Sequence, residues 1–465
     1  MTTMSRGVLE RHRTVGIDLA IRASQVAQLF DNGKPVGKPI RFRFTADDLK
    51  RFVRTIKEGV EEGTPITAVM EPTDMSWFPV ATWLKQSGVT VIRVKGQRVK
   101  ALRKYLSEHA KTDTADAHVL GTLPGFGTRN LDPVIVPSAP YQVLQRLTKQ
   151  RNRYQAQICA SRRRLLDLIR WSCPSLEAVL PGPLTQLTLA ILEKLLDPPK
   201  VLAMRPSTLV RFLARHASGD HPQSGPFIAN LAQNLQSVAK ETLALYGDHV
   251  DFTALQCEVA QEVEHVRLWQ RHIEVLEQRT TEISRQIHPD NLLQSIPGIG
   301  PVLAPLILGV LGEVHRFRSV DHLRGFCGLF PVCSSSGGVD RPGQWLAKSG
   351  NNRLKCALYT AADVARKIDP ELALVYRRLM VDKGHHHKQA LCAVANRLLN
   401  RIYHVLKTGQ PYILRDLDHH PISVQEGKRM VKDTLSVPQE VRDSRRKHPG
   451  GPGMKTTIKK MPQKT

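Results

Sequence analysis

Cysteine is scarce in this chain of 465 residues: there are seven, scattered, and no two are spaced as CxxC. An odd, dispersed set argues against a disulfide framework and against a zinc ribbon, and it fits a reducing cytosol. Long apolar runs are missing too. No stretch approaches the roughly 18 uninterrupted apolar residues of a membrane span. Met1 to Arg13 is basic and polar, without the apolar segment of a secretory signal. These absences predict a cytoplasmic protein with no membrane partner. Acidic residues are the other shortage, 42 against 67 Lys plus Arg, which leaves a net charge of +25 and a pI near 10.0. Such an excess attracts polyanions, because each neutralised phosphate releases condensed counterions. Nucleic acid is the expected partner; a merely soluble basic protein is the bland alternative.

The length predicts two or three domains, and 41% apolar with 23% charged residues is ordinary for a globular protein. Thr14 to Asp18 reads as a short strand ending in a carboxylate. Ser24 to Phe30 reads as a second strand, and Asp31-Asn-Gly-Lys34 as a turn into a third, from about Val36 to Phe44. Then come a helix from Ala46 to about Glu61 capped by Thr45, and a strand Ile66 to Met70 running into Glu71. A helix near Ser76 to Gln86, a strand Val89 to Val94, and helices from Gly96 to about Glu108 and from Asp113 onward complete the unit. This order describes a mixed α/β sheet of ribonuclease H type. Beyond Tyr141 the period changes. Leu144, Leu147, Arg151, Tyr154, Ile158, Ser161, Leu165 and Leu168 recur at spacings of three and four. Residues from Phe252 to Ile283 recur in the same way. Both stretches read as long amphipathic helices that pair with each other or with another subunit, as a coiled coil or as part of an ordinary helical bundle. A mostly helical region follows from about 291 to 410, and residues 411–465 read as a basic, disordered tail. The expected domains are thus 1–130, 131–290, 291–410 and the tail.

Asp18, Glu71, Asp113 and Asp116 carry the chemistry. Two of them end neighbouring candidate strands, and the other two, in Lys111-Thr-Asp-Thr-Ala-Asp-Ala117, lie three residues apart on one helix face. Gathered carboxylates repel unless a cation neutralises them, and hard ions such as Mg²⁺ or Mn²⁺ take oxygen ligands. Two such ions about 3.5–4 Å apart activate an attacking oxygen and stabilise a leaving one at a phosphodiester. Taken singly, each of these acids is a turn, a cap or a solvated face. As an ordered set at strand and helix ends in a very basic chain, they point to metal.

Val-Gly-Ile-Asp18, Val-Met-Glu71-Pro-Thr and Lys-Thr-Asp113-Thr-Ala-Asp116-Ala together resemble the DEDD-type transposases of insertion-sequence family 110. The resemblance spans about residues 14 to 408. It implies a RuvC-like nuclease domain whose four acids map onto Asp18, Glu71, Asp113 and Asp116. It also bears on Gly325-Phe-Cys-Gly-Leu-Phe-Pro331, the Ser334-Ser-Ser-Gly-Gly338 segment and Leu346-Ala-Lys-Ser-Gly-Asn-Asn-Arg-Leu354. On residue type alone the serines are a flexible turn. Lys348, Arg353 and Lys355 are either phosphate contacts or a solvated face. The family's second domain carries a similar signature with a catalytic serine before the glycine, which maps to Ser336, although Ser335 is one position away. Lys355 stands where the family usually has arginine. The resemblance further implies a composite site, a covalent phosphoserine link to DNA, and a guide RNA from the element's non-coding end.

Ile296-Pro-Gly-Ile-Gly-Pro301 reads either as a helix-hairpin-helix turn on a phosphate or as a tight turn without ligand. His385, His386 and His387 read as a basic loop or a DNA-facing patch rather than a metal site. The expected activity is Mg²⁺-dependent DNA cutting and rejoining by a homo-oligomer, dimer or tetramer, since exchange needs several cuts. The competitors are a site-specific DNA invertase of the same family, a junction-resolving nuclease without a serine role, and a non-catalytic nucleic-acid-binding protein.

Overall fold

The computed structural model describes residues 12–21, 24–72, 74–106, 112–126, 131, 133–217, 225–330, 332, 335–336, 339–340, 346–347 and 349–446. The chain divides into two compact units, Met1–Pro137 and Ser138–Thr465.

In the first unit, strands β1 (Arg13–Asp18), β2 (Gln25–Asp31) and β3 (Lys34–Phe42) form an antiparallel meander. Asn32 and Gly33 make the two-residue turn between β2 and β3, both at positive φ (50° and 81°), as a primed hairpin turn requires. Helix α1 (Ala46–Lys57) starts at Thr45, whose hydroxyl accepts from the Asp48 amide. Then follow β4 (Ile66–Met70), α2 (Trp77–Gln86), β5 (Thr90–Arg93), α3 (Gly96–Tyr105), α4 (Asp113–Thr122) and a 3-10 turn, Leu123–Phe126. The sheet order is β3-β2-β1-β4-β5, with β4 parallel to both β1 and β5. Strands β1, β2 and β4 are buried along nearly their whole length because helices cover both faces. Val15, Ile17, Ala68 and Met70 face the core shared with Phe52, Ile56 and Leu84, while Val69 and Ile92 face Val99, Val119 and Leu120. Arg13 fixes the sheet's far end. Its guanidinium donates to both Asp31 carboxylate oxygens, at 2.6 and 2.7 Å, and to the carbonyls of Ile56 and Glu58.

The second unit is helical. Helix α5 (Ala139–Ser172) is followed by α6 (Leu176–Val179), α7 (Gln186–Lys194), α8 (Pro198–Ala203), α9 (Pro206–His216), α10 (Gly225–Tyr246) and α11 (Phe252–Ile287). The ion pairs Arg151–Glu277 (2.7 Å) and Arg164–Glu262 (3.0 Å) step in opposite directions along α5 and α11, so the two helices run antiparallel. The sequence left open whether they pair with each other or across subunits; within this chain they pair with each other. Leu165, Ile169, Val259 and Val266 form one core with α7 to α10. A second core gathers Leu144 and Ile283 with α12 (Leu303–Leu311), α13 (Val320–Cys327), α14 (Asn352–Ala365), α15 (Pro370–Val381) and α16 (His387–Thr408). Between α13 and α14, β6 (Ser335–Ser336) pairs with β7 (Val339–Asp340).

Residues 411–446 correct the expectation of a disordered tail. They carry α17 (Val424–Thr434) and α18 (Gln439–Arg446). Ser423 and Glu426 form a reciprocal capping box at the start of α17. Val431, Leu435 and Val437 are buried, an apolar spacing that the surrounding charges obscure. Residues 447–465, also expected to be disordered, lie outside the described residues.

Candidate active site

Ile17 and Met70 are in register on parallel neighbours β1 and β4, so Asp18 and Glu71 leave their strands side by side at one end of the sheet. Glycines then bring the helices in. A Cβ on Gly16 would stand 1.9 Å from the Ala117 carbonyl and 2.3 Å from the Gly121 amide, and a Cβ on Gly121 would meet the Phe30 ring at 2.1 Å. Helix α4 therefore lies backbone-to-backbone on β1, a contact no larger residue allows. Thr112 starts α4 by accepting from the Ala115 amide at 3.2 Å, which places Asp113 and Asp116 in its first turn. The helix dipole favours carboxylates there. Glu71 is seated against Gly96, the first residue of α3, where a Cβ would fall 2.3 Å from its Oε1.

The four acids predicted from sequence are thus brought to one place. Burial pushes the Asp18 carboxyl up to about 6, helped by the charges of Asp116, Asp113 and Glu71; the Leu19 amide partly offsets this. Asp116 is buried and gripped by Arg103 of α3, while Asp113 is exposed. Among the described residues no three His, Cys, Asp or Glu side chains are grouped closely enough to hold a metal ion. Asp116, Asp113 and Glu71 are each within electrostatic reach of Asp18 but not at ligand spacing, and Arg103 supplies the positive charge at Asp116. The donor set still fits a hard divalent ion: it is all oxygen, and the neighbouring carboxylates that add to burial in raising Asp18 are charges a cation would neutralise.

In the second unit the backbones of Ser335 and Ser336 form β6, pairing antiparallel with Asp340 and Val339. Ser334 and Lys348 lie outside the described residues, as does Lys111 of the first unit. The residues flanking the serine hairpin turn out to be its footing. A Cβ on Gly328 (φ 72°) would stand 2.1 Å from the Ser349 carbonyl, and one on Gly350 (φ 96°) 2.6 Å from Cys327. Lys355 Nζ donates to the carbonyls of Ala347 (2.8 Å) and Ser349 (3.3 Å). Arg353 donates to the Thr148 hydroxyl at 2.9 Å and the Gln145 carbonyl of α5. Asn351 caps α14, and Asn396 donates to the Leu329 carbonyl at 2.8 Å. Of the two readings of Arg353 and Lys355, phosphate contact or solvated face, neither describes these bonds: both side chains hold backbone and neighbouring helix.

Two family models match the chain. A transposase model of the DEDD, IS110 type matches residues 15–174, and one described as transposase IS116/IS110/IS902 family matches residues 290–377. The chain belongs to the IS110 family of transposases. It is 23% identical over 401 residues to the insertion element IS110 uncharacterized 43.6 kDa protein of Streptomyces coelicolor, covering 86% of this chain and 96% of that one. It is 24% identical over 331 residues to the corresponding IS116 protein of Streptomyces clavuligerus, covering 69% and 77%. It is also 30% identical over 122 residues to the pilin gene-inverting protein of Moraxella lacunata, covering 26% of this chain and 38% of that one. The first matched segment contains all four acids, and the second contains the serine hairpin with Gly328, Gly350, Asn351, Arg353 and Lys355 of its footing.

Sequence reasoning missed Arg103, the close-approach glycines Gly16, Gly96 and Gly121, and Asn396. A glycine inside the apolar strand Val15-Gly-Ile17 was a readable signal of close backbone approach. The other positions had none. The histidine run begins α16: the His386 amide donates to Gln389, and His387 Nδ1 lies 2.8 Å from the Tyr376 hydroxyl. At 296–301, Gly298 (φ 88°) presses on the Ala361 carbonyl of α14, a packing role. The six cysteines among the described residues are free. No described helix is long and apolar enough to cross a membrane.

Proposed function

We propose that this protein cuts and rejoins DNA for a mobile element. Its RuvC-like domain would hold divalent metal on Asp18, Glu71, Asp113 and Asp116, and Ser336 would act as the nucleophile. The convergence of three acids on Asp18, its carboxyl raised to about 6 by burial and by their charges, carries this reading. The sheet order β3-β2-β1-β4-β5 supports a ribonuclease H-like assignment. Mg²⁺ bound there supplies activation of an attacking oxygen and stabilisation of a leaving one. The chain's own part is to ionise Asp18, release Asp116 from Arg103, and keep both acids on rigid backbone. Ser336 Oγ then bonds to phosphorus, the bond from phosphorus to the adjoining sugar oxygen breaks, and that oxygen takes up a proton. Reversal on a second strand rejoins the DNA. Several cuts require several copies of the chain. The family resemblance adds a guide RNA, whose phosphates would share the +25 charge with DNA.

An invertase reading is favoured by the pilin gene-inverting relatives. Its chemistry is the same, and the DNA flanking the gene separates the two. The decisive assay is strand cleavage with Mg²⁺. Asp18→Asn and Asp116→Asn are expected to abolish it without unfolding the protein. Full activity in either would end the metal proposal. Ser336→Ala should remove a denaturation-resistant protein–DNA adduct; an adduct that persists in Ser336→Ala and disappears in Ser335→Ala moves the role by one residue. RNA copurifying with the protein, and complementary to target and donor DNA, tests the guide.

A further inference from the structure

Tyr105 and Phe126 are aromatic rings that the fold leaves in solvent, 73% and 57% exposed. Their centroids are 5.8 Å apart at 88°, an edge-to-face pair that leaves ring faces free. A single exposed ring needs no explanation, but two in contact at one place do. Their position is informative. Tyr105 ends α3, two residues after the Arg103 that grips Asp116, and Phe126 ends the 3-10 turn into which α4 runs. The pair is therefore held by α3, which grips Asp116, and by the turn that continues α4, the helix bearing Asp113 and Asp116.

Helix α3 is built for a polyanion. It contains Arg98, Lys100, Arg103 and Lys104 and no acid. Lys100 and Lys104 are exposed one turn apart, where like charges repel, and Lys95 caps the helix at the positive end of its dipole. Each arrangement weakens the isolated helix and is relieved by phosphates. A second copy of a chain with net charge +25 would worsen it. Exposed aromatics beside such cations suit a nucleobase, which stacks through its π-face whatever its identity.

We propose that Tyr105 and Phe126 form a stacking platform for an unpaired base of the DNA strand engaged by the acid site, so that the protein prefers locally opened duplex there. This rests on the DNA-cutting reading and adds the state of the substrate it recognises. The test uses the full chain in EDTA, where cleavage is silent. The probes are two DNA duplexes of equal length, one fully paired and one with a bulged 2-aminopurine. The wild type should bind the bulged duplex more tightly and change the 2-aminopurine fluorescence. Tyr105→Ala should lower bulged-duplex affinity about tenfold or more, from the roughly 1–3 kcal/mol of one stacked base. It should leave paired-duplex affinity and melting temperature unchanged. Tyr105→Trp should restore binding, and Phe126→Ala should behave like Tyr105→Ala. Equal losses on both duplexes, an unchanged bulged affinity, or an effect confined to RNA overturns the platform. Cleavage that survives Asp18→Asn overturns the parent reading instead, and a wild type that binds neither duplex overturns both.

Discussion

Asp18 is the residue on which opposing demands meet. Its carboxyl sits above the usual 3.8, at about 6, because burial and three neighbouring acids disfavour its charge. Such a group favours the fold when protonated: its contribution is full below about pH 4 and is lost as pH rises through about 6. Asp18→Asn should therefore raise thermal stability at pH 8, by roughly 1 kcal/mol after allowing for solvent screening, and leave it nearly unchanged at pH 4. Melting curves at the two pH values check this; a loss of stability at pH 8 would contradict it. With Asp18 as the proposed metal ligand, metal affinity of the wild type should run the opposite way, rising as pH passes through about 6 because the ligand must ionise. Titration calorimetry with Mn²⁺ at pH 5 and 7.5 is the measurement. Gly16 belongs to the same scale. With backbone 1.9 Å from its missing Cβ, Gly16→Ala should cost on the order of 3 kcal/mol, read from denaturant midpoints.

At the scale of elements, much of the first unit was legible in the sequence, for a physical reason. Strand and helix periods there are uninterrupted and separated by turn residues, so the meander and the β4-α2-β5 alternation follow from pattern. The ends were less legible. The helix expected to run from Ala46 to Glu61 stops at Lys57, where Gly59 turns at φ 71°, and the one expected to reach Glu108 stops at Tyr105. The acids were legible because each sits at a strand or helix end. Arg103 was not, since nothing local distinguishes it from Lys104. The tail helices were hidden because their apolar positions are few and lie among charges. In the serine segment the motif pointed to chemistry, whereas Lys355 and Arg353 prove to be braces. Lys355→Met should lower stability by about 1–3 kcal/mol, by leaving carbonyls without a donor. It should reduce adduct formation while Mn²⁺ affinity stays constant. Lys355→Arg tests whether the charge alone suffices.

For the whole molecule, charge dominates. An excess of 25 positive charges predicts DNA affinity that falls steeply with salt, with a log–log slope of about −0.9 per phosphate neutralised. Binding isotherms from 50 to 200 mM salt measure it. Lys100→Ala and Lys104→Ala should each flatten the slope by about one, without changing preference between sequences. A slope near zero would contradict a phosphate-tracking role for this surface.

The hairpin bearing Ser335 and Ser336 stands on glycines that touch backbone to backbone, braced by Lys355, Asn351 and Asn396. Damage to that base will look, in any assay of activity, like damage to the proposed nucleophile. An inactive variant in the Gly-Asn-Asn-Arg stretch thus says little about chemistry until its folding is measured. The substitutions that interrogate the proposed serine chemistry are those at the two serines, where a single oxygen is removed and the pedestal beneath is left standing.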